Sequence, residues 1–176
     1  MKKNDLRKVR RLLLLFIVCL ALSGATAIPV ITEMEWALAL VPQNTVLHLW
    51  LSHIYTVLLI TDSNAPYLFY GYDWLAFAHF VLAVPFIGPY KNPVQNIWVV
   101  QFGLIACVMV LPFAAVAGHF RGIPVWWRLV DCSFGLVGFA LLWMVYVKVK
   151  RIANAASANN YTKQPATDSY LVHTAL

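Results

Sequence analysis

Charge is scarce in this chain. Only 11% of its 176 residues are Asp, Glu, Lys or Arg, and 61% are hydrophobic; an ordinary soluble domain carries about 25% charged residues. At this length a soluble fold leaves roughly 30% of the unfolded chain's surface wet. A mean hydropathy of +0.71 cannot be reconciled with that exposure. A soluble enzyme and a disordered polymer are therefore excluded. Cysteine is scarce as well. Cys19, Cys107 and Cys132 are odd in number and each falls inside an apolar run. No disulfide framework follows from them, and they read as small apolar side chains. The chain also lacks Cys-x-x-Cys, a haem-attachment Cys-x-x-Cys-His, His-Glu-x-x-His, a Walker loop and a serine elbow. It has no internal repeat, so the signature of an inverted-repeat transporter is missing.

What is present is a series of long uncharged runs. Residues 12–31 contain no charge, and twenty residues of helix rise ~30 Å, the thickness of a hydrocarbon core. The run is expected to be a first span. Basic residues followed by Leu12–Leu22 and Ala25-Thr26-Ala27 also fit a signal peptide, but apolar character continues through Ile28, Val30 and Ile31. Residues 32–72 are expected to form an outer segment. Within it Asn44 is expected to cap a helix over 45–60, on which Thr45, His48, Ser52 and Thr56 make one polar stripe. That helix is expected to lie at the interface, not to cross. Further spans are expected at 73–89, 96–118 and 129–147, with Pro85 and Pro112 inside the first two of these. Residues 148–176 read as a basic stop followed by a disordered tail from Asn154. The fold class is an all-α membrane protein, a four-transmembrane-helix bundle with an outer interfacial amphipathic helix.

Basic residues set the expected topology. Six of them precede residue 12. With four spans and a cytoplasmic N-terminus, eleven of the 13 Lys and Arg fall inside and two, Arg121 and Arg128, outside. Letting 45–60 cross would change this to eight against five, so four spans with both termini cytoplasmic are preferred. The basic flanks suit retention by an anionic lipid surface, and no nucleic-acid partner is implied. Lipid bilayer and other membrane subunits are the expected partners, in a bacterial inner membrane.

Polar groups near a membrane are costly, which makes each a candidate. Asp73, His79, His119, Arg128 and Asp131 all fall in the expected outer half, together with His48 and His53. Arg128 and Asp131 are three apart and share a helix face, so an ion pair anchoring the helix end is expected. Asp73 is expected to cap the second span, and His79 to hydrogen-bond a neighbouring helix. His48 and His53 are five apart, ~140° around a helix, and cannot present both rings to one metal. No catalytic residue, cofactor or metal is assigned.

The stretches Tyr72-Asp-Trp-Leu-Ala-Phe-Ala-His79, Ile87-Gly-Pro89, Arg121-Gly-Ile-Pro124 and Arg128-Leu-Val-Asp-Cys-Ser-Phe-Gly135 resemble an uncharacterised family of small bacterial multi-pass membrane proteins. The resemblance covers roughly residues 70–148 and, more loosely, the first span. It implies a bacterial membrane location and no activity. The leading expectation is a non-enzymatic accessory or assembly protein. The alternatives are a redox or metal-binding membrane protein using outer histidines, marked by a Soret band or stoichiometric metal, and an enzyme acting on lipid or quinone through Asp73, Arg128 and Asp131.

Overall fold

The computed structural model describes residues 3–163, and every regular element among them is helical. In chain order these are α1 (Lys3–Ala27), α2 (Val30–Leu40), α3 (Val46–Asn64), α4 (Tyr70–Ala83), α5 (Ile87–Lys91), α6 (Ile97–Phe120) and α7 (Val125–Lys163). Short 3-10 turns, Pro66–Phe69 and Val84–Phe86, flank α4. Among the described residues four stretches are long and apolar enough to cross a membrane: Asn4–Ala27, Pro66–Lys91, Ile97–Phe120 and Val125–Ser157. Many of their large side chains face outward, with Phe113 74% and Phe134 73% exposed. Such apolar faces are untenable in water and ordinary in lipid, where a helix satisfies its own backbone. The chain is an all-α, multi-pass membrane protein.

Two compact units divide it, residues 17–87 and residues 1–16 with 88–176. The second of these is organised by α7. Its residues Arg128, Asp131, Gly135, Gly138, Leu142, Val145, Val149 and Ile152 recur at alternating spacings of three and four. This is the 3.5-residue period that keeps one seam of a helix against its neighbour. Leu142, Val145 and Val149 are fully buried. On α6, Val99, Val100, Gly103 and Leu104 are buried. On the first half of α1, Val9 and Leu13 are buried. The large core side chains thus gather where α6 begins, where α7 continues toward its basic stretch, and on the N-terminal half of α1. Toward the other end the seam narrows to small residues. A methyl on Gly135 would stand 2.9 Å from the Cys107 carbonyl, and one on Gly138 3.0 Å from the Cys107 Sγ. Small residues let helix backbones approach where no water-driven force pulls them together.

The α6–α7 connection closes with a helix-stop motif. Gly122 adopts φ +67°. Ile123 N–H donates to the Gly118 carbonyl at 2.8 Å, and Gly122 N–H to the His119 carbonyl at 3.2 Å. This is the Schellman arrangement, which needs a left-handed residue one place past the helix. Glycine adopts that conformation without the cost a Cβ imposes, and Pro124 then restarts the chain as α7.

In the unit of residues 17–87, Gly24 on α1 packs against α4 beside Ala76, which is buried. α2 joins α3 through a turn held by side chains. Thr45 Oγ1 donates to the Pro42 carbonyl at 2.8 Å and accepts from His48 N–H at 3.1 Å. His48 Nδ1 donates to the Val41 carbonyl at 3.2 Å. Thr45 is therefore the N-cap expected of Asn44. The polar stripe is largely spent on local bonds: Thr56 Oγ1 donates to the Ser52 carbonyl of the preceding turn at 2.8 Å.

Several boundaries move. The first helix ends at Ala27, not at residue 31, because Pro29 disfavours helical geometry in the residue before it. The stretch 32–72, expected to hold one helix, takes in most of α2 and all of α3. The second span begins at Pro66, which opens the 3-10 turn that runs into α4. Pro85 tightens the chain to 3-10 at Val84–Phe86 without ending the span. The fourth helix starts at Val125 and runs to Lys163, so the disorder expected from Asn154 is corrected over 154–163. Ala153, Ala155 and Ala156 are the strongest helix formers, and extending an existing helix is cheaper than nucleating one. Residues 164–176 of the expected tail lie outside the described residues.

Candidate functional site

Each expected site residue has a definite place. His79 Nδ1 donates to the Leu75 carbonyl of its own helix at 2.7 Å. That replaces the expected bond to a neighbouring helix, and the reason is geometric. Helical side chains lean toward the N-terminus, so His79 meets the carbonyl one turn back. Asp73 is exposed in the first turn of α4. It is not the cap, because the helix begins three residues earlier; its place in the first turn still puts a negative charge near the positive end of the helix dipole. His119 is exposed, edge-on to Phe120 at 5.9 Å between ring centroids.

Arg128 and Asp131 do not pair. Arg128 crosses to α6, where Nη1 donates to the Ala115 carbonyl at 3.3 Å. Its stem lies over Gly118, and a methyl there would collide with the Arg128 Cδ. Its Nε is buried without a hydrogen-bond partner. Among the described residues no ion pair joins Arg128 to Asp131. The N-terminal lean of helical side chains carries Arg128 away from Asp131, toward the space that Gly118 leaves. The two substitutions Asp131→Asn and Arg128→Gln are therefore expected to add. In a double-mutant cycle read by unfolding in detergent, their coupling should stay below ~0.5 kcal/mol. Coupling above ~1 kcal/mol would restore the ion pair.

No group of three or more His, Cys, Asp and Glu side chains stands within reach of one metal ion among the described residues. The side chains of His79 and Arg128 thus spend their hydrogen bonds on backbone carbonyls of their own unit.

A different polar assembly stands at the basic end of the second unit. There α5 ends, a short turn follows, and α6 begins. The last carbonyls of a helix have no partner of their own. Arg10, eighty residues away on α1, supplies donors to them. Its Nε donates to the Tyr90 carbonyl at 3.2 Å and its Nη2 to the Lys91 carbonyl at 3.4 Å. Asn96 Nδ2 donates to the carbonyls of Gly88 at 3.3 Å and Asn92 at 3.0 Å. A guanidinium at a helix C-terminus also offsets the negative end of the dipole. Beside this turn lies an open, shallow cavity of about 230 Å³, lined among others by Leu6, Arg10, Lys91, Asn92, Gln95 and Ile152. Among the described residues no carboxylate lines it.

Sequence reasoning used Arg10 and Lys91 only as topology charges. One local signal was present, a polar turn Lys91-Asn-Pro-Val-Gln-Asn96 between two spans. Nothing in it points to a partner eighty residues earlier. Comparison with family models, curated proteins and solved structures finds no match. The resemblance to small bacterial membrane proteins therefore rests on the quoted segments alone.

Proposed function

We propose that the chain is a non-enzymatic multi-pass protein of a bacterial inner membrane, an accessory or assembly subunit with both termini cytoplasmic. The observation that carries the reading is the outward apolar surface of the spans. Phe113 on α6 and Phe134 on α7 stand about three-quarters exposed, along with Ile105 at 60%. Faces of this kind accept lipid or the helices of a partner, and they offer no group for acid–base or nucleophilic chemistry. Sidedness is supported by the second unit. Leu6, Arg10, Lys91 and Ile152 line one cavity, so the N-terminal basic cluster, the turn after Lys91 and the basic stretch of α7 share one end. Lys and Arg concentrate on cytoplasmic flanks.

One experiment on the full chain in native membranes tests both parts. Photo-crosslinkers replace Phe113 and Phe134, and reporters are fused after residues 40, 92, 122 and 155. The reporters should read outside, inside, outside, inside. At least one crosslinker should give a discrete protein adduct that copurifies one-to-one. Adducts to lipid alone at both positions would overturn the accessory role, and an inside reading at 122 would overturn the topology.

A further inference from the structure

We propose that the cavity beside the Arg10–Lys91 turn seats the phosphate of one anionic phospholipid, with its glycerol and first acyl carbons against Leu6 and Ile152. This assignment does not rest on the accessory role. Three observations support it. The first is charge. Arg10 and Lys91 both line the cavity, and among the described residues no carboxylate does. A guanidinium has five N–H donors. Two of the Arg10 nitrogens, Nε and Nη2, already hold the carbonyls of Tyr90 and Lys91. Those bonds fix the orientation of the group and leave Nη1 for an anion. Lys91 has no ion-pair or hydrogen-bond partner for its ammonium among the described residues, and the side chain is exposed.

The second observation is depth. The span Pro66–Lys91 ends at one wall of the cavity, Ile97–Phe120 begins just past another, and Asn4–Ala27 starts two residues before Leu6. Three span ends therefore meet at this level, where lipid headgroups lie. Basic pockets at span ends are where anionic headgroups bind. The third is the mixed lining. Asn92 and Gln95 offer amide donors, whereas Leu6 is half-buried and Ile152 buried. A free phosphate has no use for the apolar walls; a phosphodiester carrying glycerol and acyl chains fills both kinds of surface. At about 230 Å³ the cavity suits a headgroup better than a whole drug-sized molecule, whose pockets run ~300–1,000 Å³.

The test is native mass spectrometry of the full chain in detergent, titrated with phosphatidylglycerol, phosphatidylcholine or inorganic phosphate. The wild type should retain one phosphatidylglycerol in preference to phosphatidylcholine. Lys91→Gln should weaken that retention about fivefold, the effect of one interfacial cation, and Lys91→Arg should keep it. Lys150→Gln is the control. It removes the same charge from the basic stretch of α7, outside the cavity and over the Tyr146 ring, and should change retention less than twofold. Equal retention of phosphatidylcholine, or equal losses in Lys91→Gln and Lys150→Gln, would overturn the site. Displacement of phosphatidylglycerol by millimolar inorganic phosphate would assign the cavity to a free anion and overturn the lipid.

Discussion

Leu142→Ala is expected to lower the unfolding free energy in detergent by ~2 kcal/mol or more, within the ~2–5 kcal/mol range of buried leucine truncations. Leu142 is fully buried, on the seam that runs from Arg128 to Ile152 along α7. Truncation costs a transfer term and a cavity term. In a membrane the first is small, since lipid tails are as apolar as leucine. What remains is the lost packing, because a void forfeits the dispersion contacts its lining made. The low end of the range is therefore expected. Leu136 is the matched control. It sits on the same helix but is 58% exposed, and Leu136→Ala should change stability by less than ~0.5 kcal/mol. Equal losses at both positions would mean that the seam is not the packed face.

The seam also shows what the sequence made legible. Uncharged length alone located the spans, and α6 at Ile97–Phe120 lies within two residues of the expected 96–118. Spacing placed Arg128, Asp131 and Gly135 on one helix face, and that face is the seam. Spacing could not say what Arg128 would touch. The choice between Asp131 three residues on and a carbonyl of α6 depends on side-chain lean and on the room left by Gly118, and neither is a property of the local sequence. The bonds made by the polar stripe were not legible, for a related reason. Thr45, His48, Ser52 and Thr56 are polar at helical spacing whether they form a site or cap a turn, and periodicity does not separate the two. Arg10 was legible as charge and not as contact. Its carbonyl partners lie eighty residues along the chain, and only tertiary packing brings them together.

Gly24→Val is expected to cost ~1–3 kcal/mol by overpacking. A Cβ on Gly24 would stand 2.8 Å from the Ala76 carbonyl oxygen and 2.9 Å from the His79 Cβ. Neither is the tip of a flexible side chain. One is backbone, and the other is fixed to the backbone by a single bond. Relief therefore requires α1 to move away from α4, and the packing around buried Ala76 goes with it. Gly24→Ala should already show much of the loss, and the branched valine should exceed it. The counterpart is Gly71, inside α4 with nothing within 4 Å of the added methyl. There alanine should be neutral or should stabilise by up to ~1 kcal/mol, the helix-propensity gain over glycine. Both substitutions remove a glycine from a helix, so propensity favours both. Only the contact with α4 sets them apart, and opposite signs in thermal unfolding are the expected result. If Gly24→Ala unfolds at or above the wild-type midpoint, α1 and α4 do not meet at Gly24.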